Sequence, residues 1–457
     1  LTVVLRHETS IPRHTIGHFR LSLSTEIAPQ LQGTGPAPLE IISTLLLDPA
    51  ARSAEQVAAL AKYYRSIAPA LQGAREQVAT MTKQRDELKK QIPYVLTTKS
   101  VPPRAVRVLP RGNWMDESGE VVSPATPEFL PAVERSTPDK RLSRLDLAKW
   151  ITSKENPLTA RVYVNRLWAL YFGQGISKIL DDFGIQGEWP THPELLDWLA
   201  VEFMNSGWDV KHMVRLIVTS STYRQSSAAR HDLDELDPYN RLLARQARFR
   251  LQAEFVRDNA LQVAGLLSKK IGGPTVKPYQ PDGYYNDCNT FRGPIIYDTA
   301  QGEDQYRRGL YTYWKRSFPH PSMLAFDAPS REECTAVRPA SNTPLQALVL
   351  LNDPSYVEAA RAFAERILRE GGADIIARLQ YAFHRALGRA ATEKELALLG
   401  ELLAKHTQEY TADPKSAADL LAIGQAPVPA DIPQTDLAAW TSVARAILNL
   451  HETITRS

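Results

Sequence analysis

The chain has 457 residues, 43% hydrophobic and 23% charged, with a net charge of +3 at pH 7. That length predicts two or three domains, and the composition is that of a globular protein with a sizeable core. The charge is too small to mark a nucleic-acid or membrane-surface protein, and no run of 18 apolar residues is present to span a bilayer. The only cysteines, Cys288 and Cys334, exclude a disulfide scaffold, a zinc ribbon and a CxxCH haem site within this chain.

Residues 1–27 read as two strands around the turn-rich stretch 10–17. Phe19, Leu21 and Leu23 alternate with polar residues, the period of a half-buried strand. Two strands alone are marginal, so they predict the end of an upstream β-sandwich, and the start at Leu1 predicts a fragment of a longer chain. Residues 28–92 form a helical hairpin or spacer. Ser53 is its N-cap, with Glu55 and Gln56 in the first turn, and Pro69 and Gly73 mark a break. Beyond the break Leu71, Ala74, Val78, Met81, Arg85, Leu88 and Ile92 follow steps of three and four, a heptad seam. It suits a packing arm in an antiparallel hairpin, or else a partner-docking coiled coil. Residues 93–141 are a proline-rich extended linker with one strand at Arg104–Leu109.

Residues 142–457 form a multi-helix domain, which makes the chain mainly α. Helices are predicted at 142–152, 158–172, 193–206, 210–220 and 251–269, then at 343–351, 355–369, 373–388, 392–410, 417–421 and 436–450. Ser143 with Asp146 three residues on is a capping box, and Gly173, Gly175, Gly184 and Gly187 punctuate the stops. An irregular, aromatic-rich insertion at about 271–340 separates the helical halves, with one strand expected at Gly309–Lys315.

Strong catalytic signatures are missing. No glycine-rich nucleotide loop, GxSxG elbow or HExxH occurs. Asp182-Phe183-Gly184 has the letters of a kinase metal motif without the rest of a kinase, and reads as a turn with Gly184 left-handed. His7, His14 and His18 could share a ligand at the strand face, but no carboxylate or cysteine completes a metal set, and no metal is expected. His192 follows Thr191, a candidate N-cap, and precedes Pro193 at a helix start. Arg161, Asn165 and Trp168 fall near one helical face: a buried network ordering the helix, or an anion-binding face.

The most unusual stretch is 306–353. It carries Arg307, Arg308, Lys315, Arg316, Arg331 and Arg338 among Tyr306, Tyr311, Tyr313, Trp314, Phe318 and Phe326. Aromatics flanked by arginine suit sugar stacking, anion capture or a protein interface. Cys334 reads first as a buried structural thiol or a disulfide partner of Cys288; the alternative is a functional thiol, since Arg331 lies three residues away and Arg338 four. Asn342 or Thr343 caps the next helix, with Pro344 at N1; Gln346 lies in its first turn and belongs with the candidate binding residues.

The strings at 146–227 (DLAKWITSKENPLTARVYVNRLW and onward) and 327–360 (DAPSREECTAVRPASNTPLQALVLLNDPSYVEAA) resemble the planctomycete-specific domain of unknown function. That domain occurs C-terminal to planctomycete cytochrome c domains in large secreted proteins, and the resemblance covers about 142–457. Arg331, Cys334, Arg338, Asn342, Thr343 and Gln346 match the family pattern REvCT…R…TNTPLQAL. Ala340 and Ser341 stand where the family often has Arg and Thr, which makes the segment less basic. The resemblance implies an extracytoplasmic location, in the periplasm or at the cell surface, and a jelly-roll or lectin-like module at the N-terminus. It places haem c in an upstream domain and no cofactor in this chain. It carries no established catalytic residues.

The function expected is a binding and scaffolding module of a secreted, c-type-cytochrome-linked protein. It would dock a partner protein, the upstream cytochrome domain or an acidic polysaccharide through Arg307, Arg308, Trp314, Arg316, Arg331, Arg338, Asn342 and Gln346, with Arg161 and Asn165 as a second candidate group. One alternative is an extracytoplasmic oxidoreductase or carbohydrate-active enzyme with a site around Cys334. Another is a structural subunit of an extracellular assembly, for which the heptad seam is the hint. No nucleic-acid partner and no membrane span are expected.

Overall fold

The computed structural model describes residues 37–134, 141–233, 235–285 and 296–456, together with the backbone of 289–290 and 293–294. The strands expected in 1–27, with His7, His14 and His18, lie outside the described residues, as does Cys288. Among the described residues the chain is mainly α, with fifteen α-helices and three two-stranded ribbons. It divides into two compact units, 1–105 and 106–457.

The first unit contains α1 (Leu39–Leu45), α2 (Ala54–Ile67) and α3 (Gln72–Gln91). Ser53 and Gln56 close a reciprocal capping box at the start of α2, as their spacing predicts. Arg75 Nη1 donates to the carbonyls of Arg65 and Ala68 at 3.0 and 2.8 Å, satisfying the frayed end of α2. The packed pair here is α1 with α2. α3 buries no residue: Val78, Met81 and Leu88 of the seam are each more than 60% exposed. Among the described residues α2 does not cover this seam, and α1 is the helix that packs on α2.

The second unit opens with β1 (Val106–Arg107) paired antiparallel to β2 (Val121–Val122). The expected strand at 104–109 shrinks to two residues, and the rest of the stretch is largely exposed coil. Gly119 is required there, since a Cβ would meet the Val108 carbonyl oxygen at 1.9 Å. α4 (Arg144–Ile151), α5 (Thr159–Phe172), α6 (Pro193–Asn205) and α7 (Val210–Thr219) follow. The capping box at Ser143 and Asp146 forms, and Gly173 ends α5 left-handed at φ 78°. α5, α6 and α7 bury Val164, Trp168, Phe172, Leu199, Phe203 and Met213 in one core, with Trp168 stacked on Phe172 at 4.2 Å.

β3 (Phe249–Arg250) leads into α8 (Ala253–Ala264). The insertion follows, with the ribbon β4 (Asn289–Thr290) and β5 (Gly293–Pro294) and the short α9 (Pro321–Ala325). Then come α10 (Pro344–Asn352), α11 (Pro354–Glu370), α12 (Ile375–Leu387), α13 (Glu393–Ala412), α14 (Pro414–Leu421), α15 (Gln434–Leu448) and β6 (Thr455–Arg456). α11 and α15 are the centre of the larger core: Phe363, Ala364 and Ile367 face Leu437, Val443 and Ile447, all fully buried. α8, α12, α13 and α14 surround them, and β6 pairs with β3, returning the chain end to the start of α8.

The strand expected at Gly309–Lys315 is not formed. That stretch is an extended strap with a 3-10 turn at Gly309–Tyr311, linked to the chain by isolated bridges at Ser268–Arg307 and Val276–Thr312. The 3-10 turn lies against α8, and beyond it the strap pairs only at the single bridge to Val276, too little to build a sheet. Gly309 allows this, because a Cβ there would meet the Glu254 Cα and carbonyl oxygen at 2.9 Å. Two smaller expectations are also corrected. Gly184 is not left-handed; it donates its N–H to Asp182 Oδ1 at 2.6 Å in a side-chain turn. Thr191 does not cap α6: its hydroxyl bonds the Ile176 carbonyl, and His192 occupies the cap position.

Candidate functional site

The strap, the loop 326–343 and α8 meet in one place. α8 presents Glu254, and Arg338 Nη1 donates to its Oε2 at 2.6 Å while Arg331 Nη2 stands 3.9 Å from Oε1. The Arg331 guanidinium lies over the Trp314 ring, 3.8 Å from its centroid, and the indole N–H donates to the Ser330 carbonyl. Arg331 holds φ 65°, and Asp327 holds φ 60°, both unusual for residues with a side chain. Asp327 is the anchor of the loop. It accepts from Arg250 at 2.6 Å and from the Ser341 N–H and hydroxyl. Although burial opposes ionisation, the bonds from Ser341 and Arg250 hold its carboxyl below the ordinary range. The strained loop is therefore tied down, and Arg331 and Trp314 are held as a rigid pair.

The residues expected at a site divide into three groups. Arg331, Trp314, Arg338, Arg308 and Arg316 share the strap and loop; Arg316 is exposed and pairs with Glu332 at 2.9 Å. Arg308 stands near Tyr311, 5.9 Å from its ring centroid. Asn342 is exposed at the start of α10, where Thr343 is the cap residue. Arg307 and Gln346 are instead buried. Arg307 donates to the carbonyls of Pro274 and Gly272 and stacks on Tyr311 at 3.9 Å. Gln346 donates to Ala325 O and to Ser341. Both fasten the strap and loop from beneath. Arg161 and Asn165 lie on α5, on a different core. Arg161 pairs with Asp197 at 2.6 Å, and Asn165, fully buried, exchanges two hydrogen bonds with the Ser177 backbone. Cys334 is a free, exposed thiol, which corrects the expectation of a buried one.

Next to the rim, α8 and the start of α11 carry enclosed polar side chains that sequence reasoning missed. Asp258 sits one turn after Glu254 on α8 and accepts the Gly309 N–H at 2.6 Å. Asp353 caps α11 through the Ser355 N–H. Between them lie Arg257 and Tyr356, both buried, with Ser322 against the Tyr356 hydroxyl at 3.2 Å. Burial pushes the carboxyls of Asp258 and Asp353 above the ordinary range, against the pull of their backbone partners. His320, buried, donates its Nε2–H to Tyr279 O at 2.7 Å, and burial drives its pKa down to about 4. No spacing motif marks these residues, since they come from α8, α9 and α11. The only signal was the N-cap pattern Asn352-Asp353-Pro354.

Two open grooves lie elsewhere, one of ≈ 660 Å³ beside Ile375, Leu403 and Thr407, and one of ≈ 450 Å³ beside Trp150, Tyr163 and Arg166. Among the described residues no three His, Cys, Asp or Glu side chains converge to hold a metal, and no helix is long and apolar enough to cross a membrane.

Fold and site together define a mainly α domain with an arginine-aromatic rim carried by α8, the strap and the loop 326–343. The model of the PSD1 family, described as a protein of unknown function (DUF1553), matches residues 143–403, more than half of the chain. The chain belongs to that family. No curated protein and no solved structure matches it.

Proposed function

We propose that the domain is a binding module that docks an acidic polysaccharide on the rim formed by Arg331, Trp314, Arg338, Arg308 and Arg316. The observation that carries this reading is the Arg331–Trp314 stack, held in place by the anchored loop. The indole packs on the core and holds the Arg331 guanidinium in place, and guanidinium groups take carboxylate or sulfate in paired hydrogen bonds. The setting we propose is extracytoplasmic, in a secreted protein whose upstream domain carries haem c.

Arg331→Ala or Trp314→Ala is expected to weaken binding to an acidic polysaccharide about tenfold, measured by calorimetry, and added salt should weaken the native protein's binding steeply. Salt-insensitive binding, or none to any acidic glycan, would sink the proposal. A protein partner that competes for the same residues would redirect it to a protein interface. The enzyme reading has one feature in its favour, the free exposed thiol of Cys334. Cys334→Ser with every activity of the full-length protein intact retires it.

A further inference from the structure

Three charged groups meet at one corner of the rim: Arg331, Arg338 and, from the first turn of α8, Glu254. Glu254 does not serve the two arginines equally. Arg338 Nη1 donates to its Oε2 at 2.6 Å, a charge-assisted hydrogen bond. Arg331 Nη2 stands 3.9 Å from Oε1, beyond hydrogen-bond range. Glu254 is also fixed from behind. The strap lies on its backbone, where a Cβ on Gly309 would meet the Glu254 Cα at 2.9 Å. Its place at a helix N-terminus stabilises the negative charge. The side chain of Glu254 is 12% exposed, that of Arg338 27% and that of Arg331 41%. Distance and exposure thus rank the arginines in the same order. Arg338 is tied to Glu254, while Arg331 is open, its guanidinium 3.8 Å from the Trp314 ring centroid. Two positive charges against one negative leave a single excess positive charge at this corner, and it resides on Arg331.

We infer that Arg331 is the guanidinium of this corner that takes a single oxyanion group of the ligand, a sulfate ester or a carboxylate, and that Arg338 is a positioning residue that holds Glu254 away from it. The inference rests on the proposed rim and deepens it by separating the arginine that touches the ligand from the one that keeps it available. Among the described residues, Arg331 and Arg338 are the only cations within 4 Å of the Glu254 carboxylate. Without Arg338 the carboxylate closes on Arg331 and occupies the N–H donors that a ligand needs. Glu254 is therefore a competitor built into the site, with the chemistry of a ligand carboxylate.

The test is calorimetry on the full chain with two probes, a sulfated oligosaccharide and an oligouronate, which separate the two sources of the oxyanion. Arg338→Met should weaken binding of whichever probe the native protein takes by about tenfold, although Arg338 makes no ligand contact. Removing the competitor should restore it. The double variant Arg338→Met with Glu254→Gln is expected within about threefold of the native affinity, and Glu254→Gln alone at or above that affinity. Arg338→Lys keeps the charge against Glu254 without the planar fork of donors, so it should bind like the native protein. Melting curves separate lost binding from lost fold. If a Glu254 variant unfolds, the contrast between Arg338→Lys and Arg338→Met carries the test. A folded double variant as weak as Arg338→Met, or an Arg338→Lys as weak as Arg338→Met, shows Arg338 touching the ligand directly. Either result overturns the positioning role and leaves the rim standing. Native-like binding by Arg331→Ala, or failure of both probes to bind, overturns the rim and the inference together.

Discussion

Arg307 and Arg331 come from one basic, aromatic stretch, yet one is 1% exposed beneath the strap and the other lies on the rim. The difference is backbone geometry: Arg307 sits where the strap touches α8, and Arg331 sits in a left-handed turn that lifts its side chain over Trp314. His320 shows the same effect of enclosure in its titration. In the unfolded chain it takes a proton near 6.5, but in the fold only near 4. Below 6.5 the unfolded state therefore binds more protons, and stability falls as pH drops from 6.5 to 4. The full loss is about 3 kcal/mol. Urea denaturation at several pH values should show this slope, and His320→Gln should flatten it; an unchanged slope in the variant would assign the effect elsewhere. The basic, aromatic character of the rim was legible in the chain, but His320, Arg257 and Asp258 were not. Their roles depend on what covers them, which residue spacing does not record.

At the level of elements, α3 and α11 both space apolar residues three and four apart, but α3 is the more polar of the two and their fates are opposite. α11 fits between α8 and α15 and buries Phe363, Ala364 and Ile367 completely, whereas α3 buries nothing. Phe363→Ala should cost about 3–5 kcal/mol, because the surrounding helices cannot close the cavity. Val78→Ala should stay within about 0.5 kcal/mol, since that side chain is already solvated. Urea titrations of both variants check the contrast, and a large loss for Val78→Ala would show the seam to be covered in solution. Most of the expected helix starts lie within a few residues of those observed, because the N-cap at Ser53, the capping box at Ser143 and Pro344 at N1 are legible in the chain, whereas α9 was not foreseen. The strap at 309–315 was misread because its alternation has the period of a strand, and only its partner, α8, shows that no sheet is present.

Across the second unit, the chain end links the two cores. β6 pairs with β3, and the Arg456 guanidinium stands over Tyr223, Phe249 and Tyr171 at 4.8, 5.5 and 5.9 Å. Tyr171 and Tyr223 pack on the α5–α7 core, while β3 leads into α8 of the larger one. Ending the chain after Ile454 should lower stability by about 1–3 kcal/mol through lost ribbon and cation–π contacts. A thermal melt reads this directly, and an unchanged transition would show that the cores are joined by other means.

Local order needed only the chain itself: helix starts, stops, turn glycines and the mainly α class follow from backbone capping and apolar periodicity, which act over a few residues. The family, too, was readable from strings at 146–227 and 327–360. Which arginines are exposed, and that Arg257, Arg307 and His320 are enclosed, were decided by packing between α8, α11 and the strap. Burial sets both the charge state and the reach of a side chain, and burial is a property of neighbours that can lie far away in the chain, as Asn259 and Thr453 do at a separation of 194 residues.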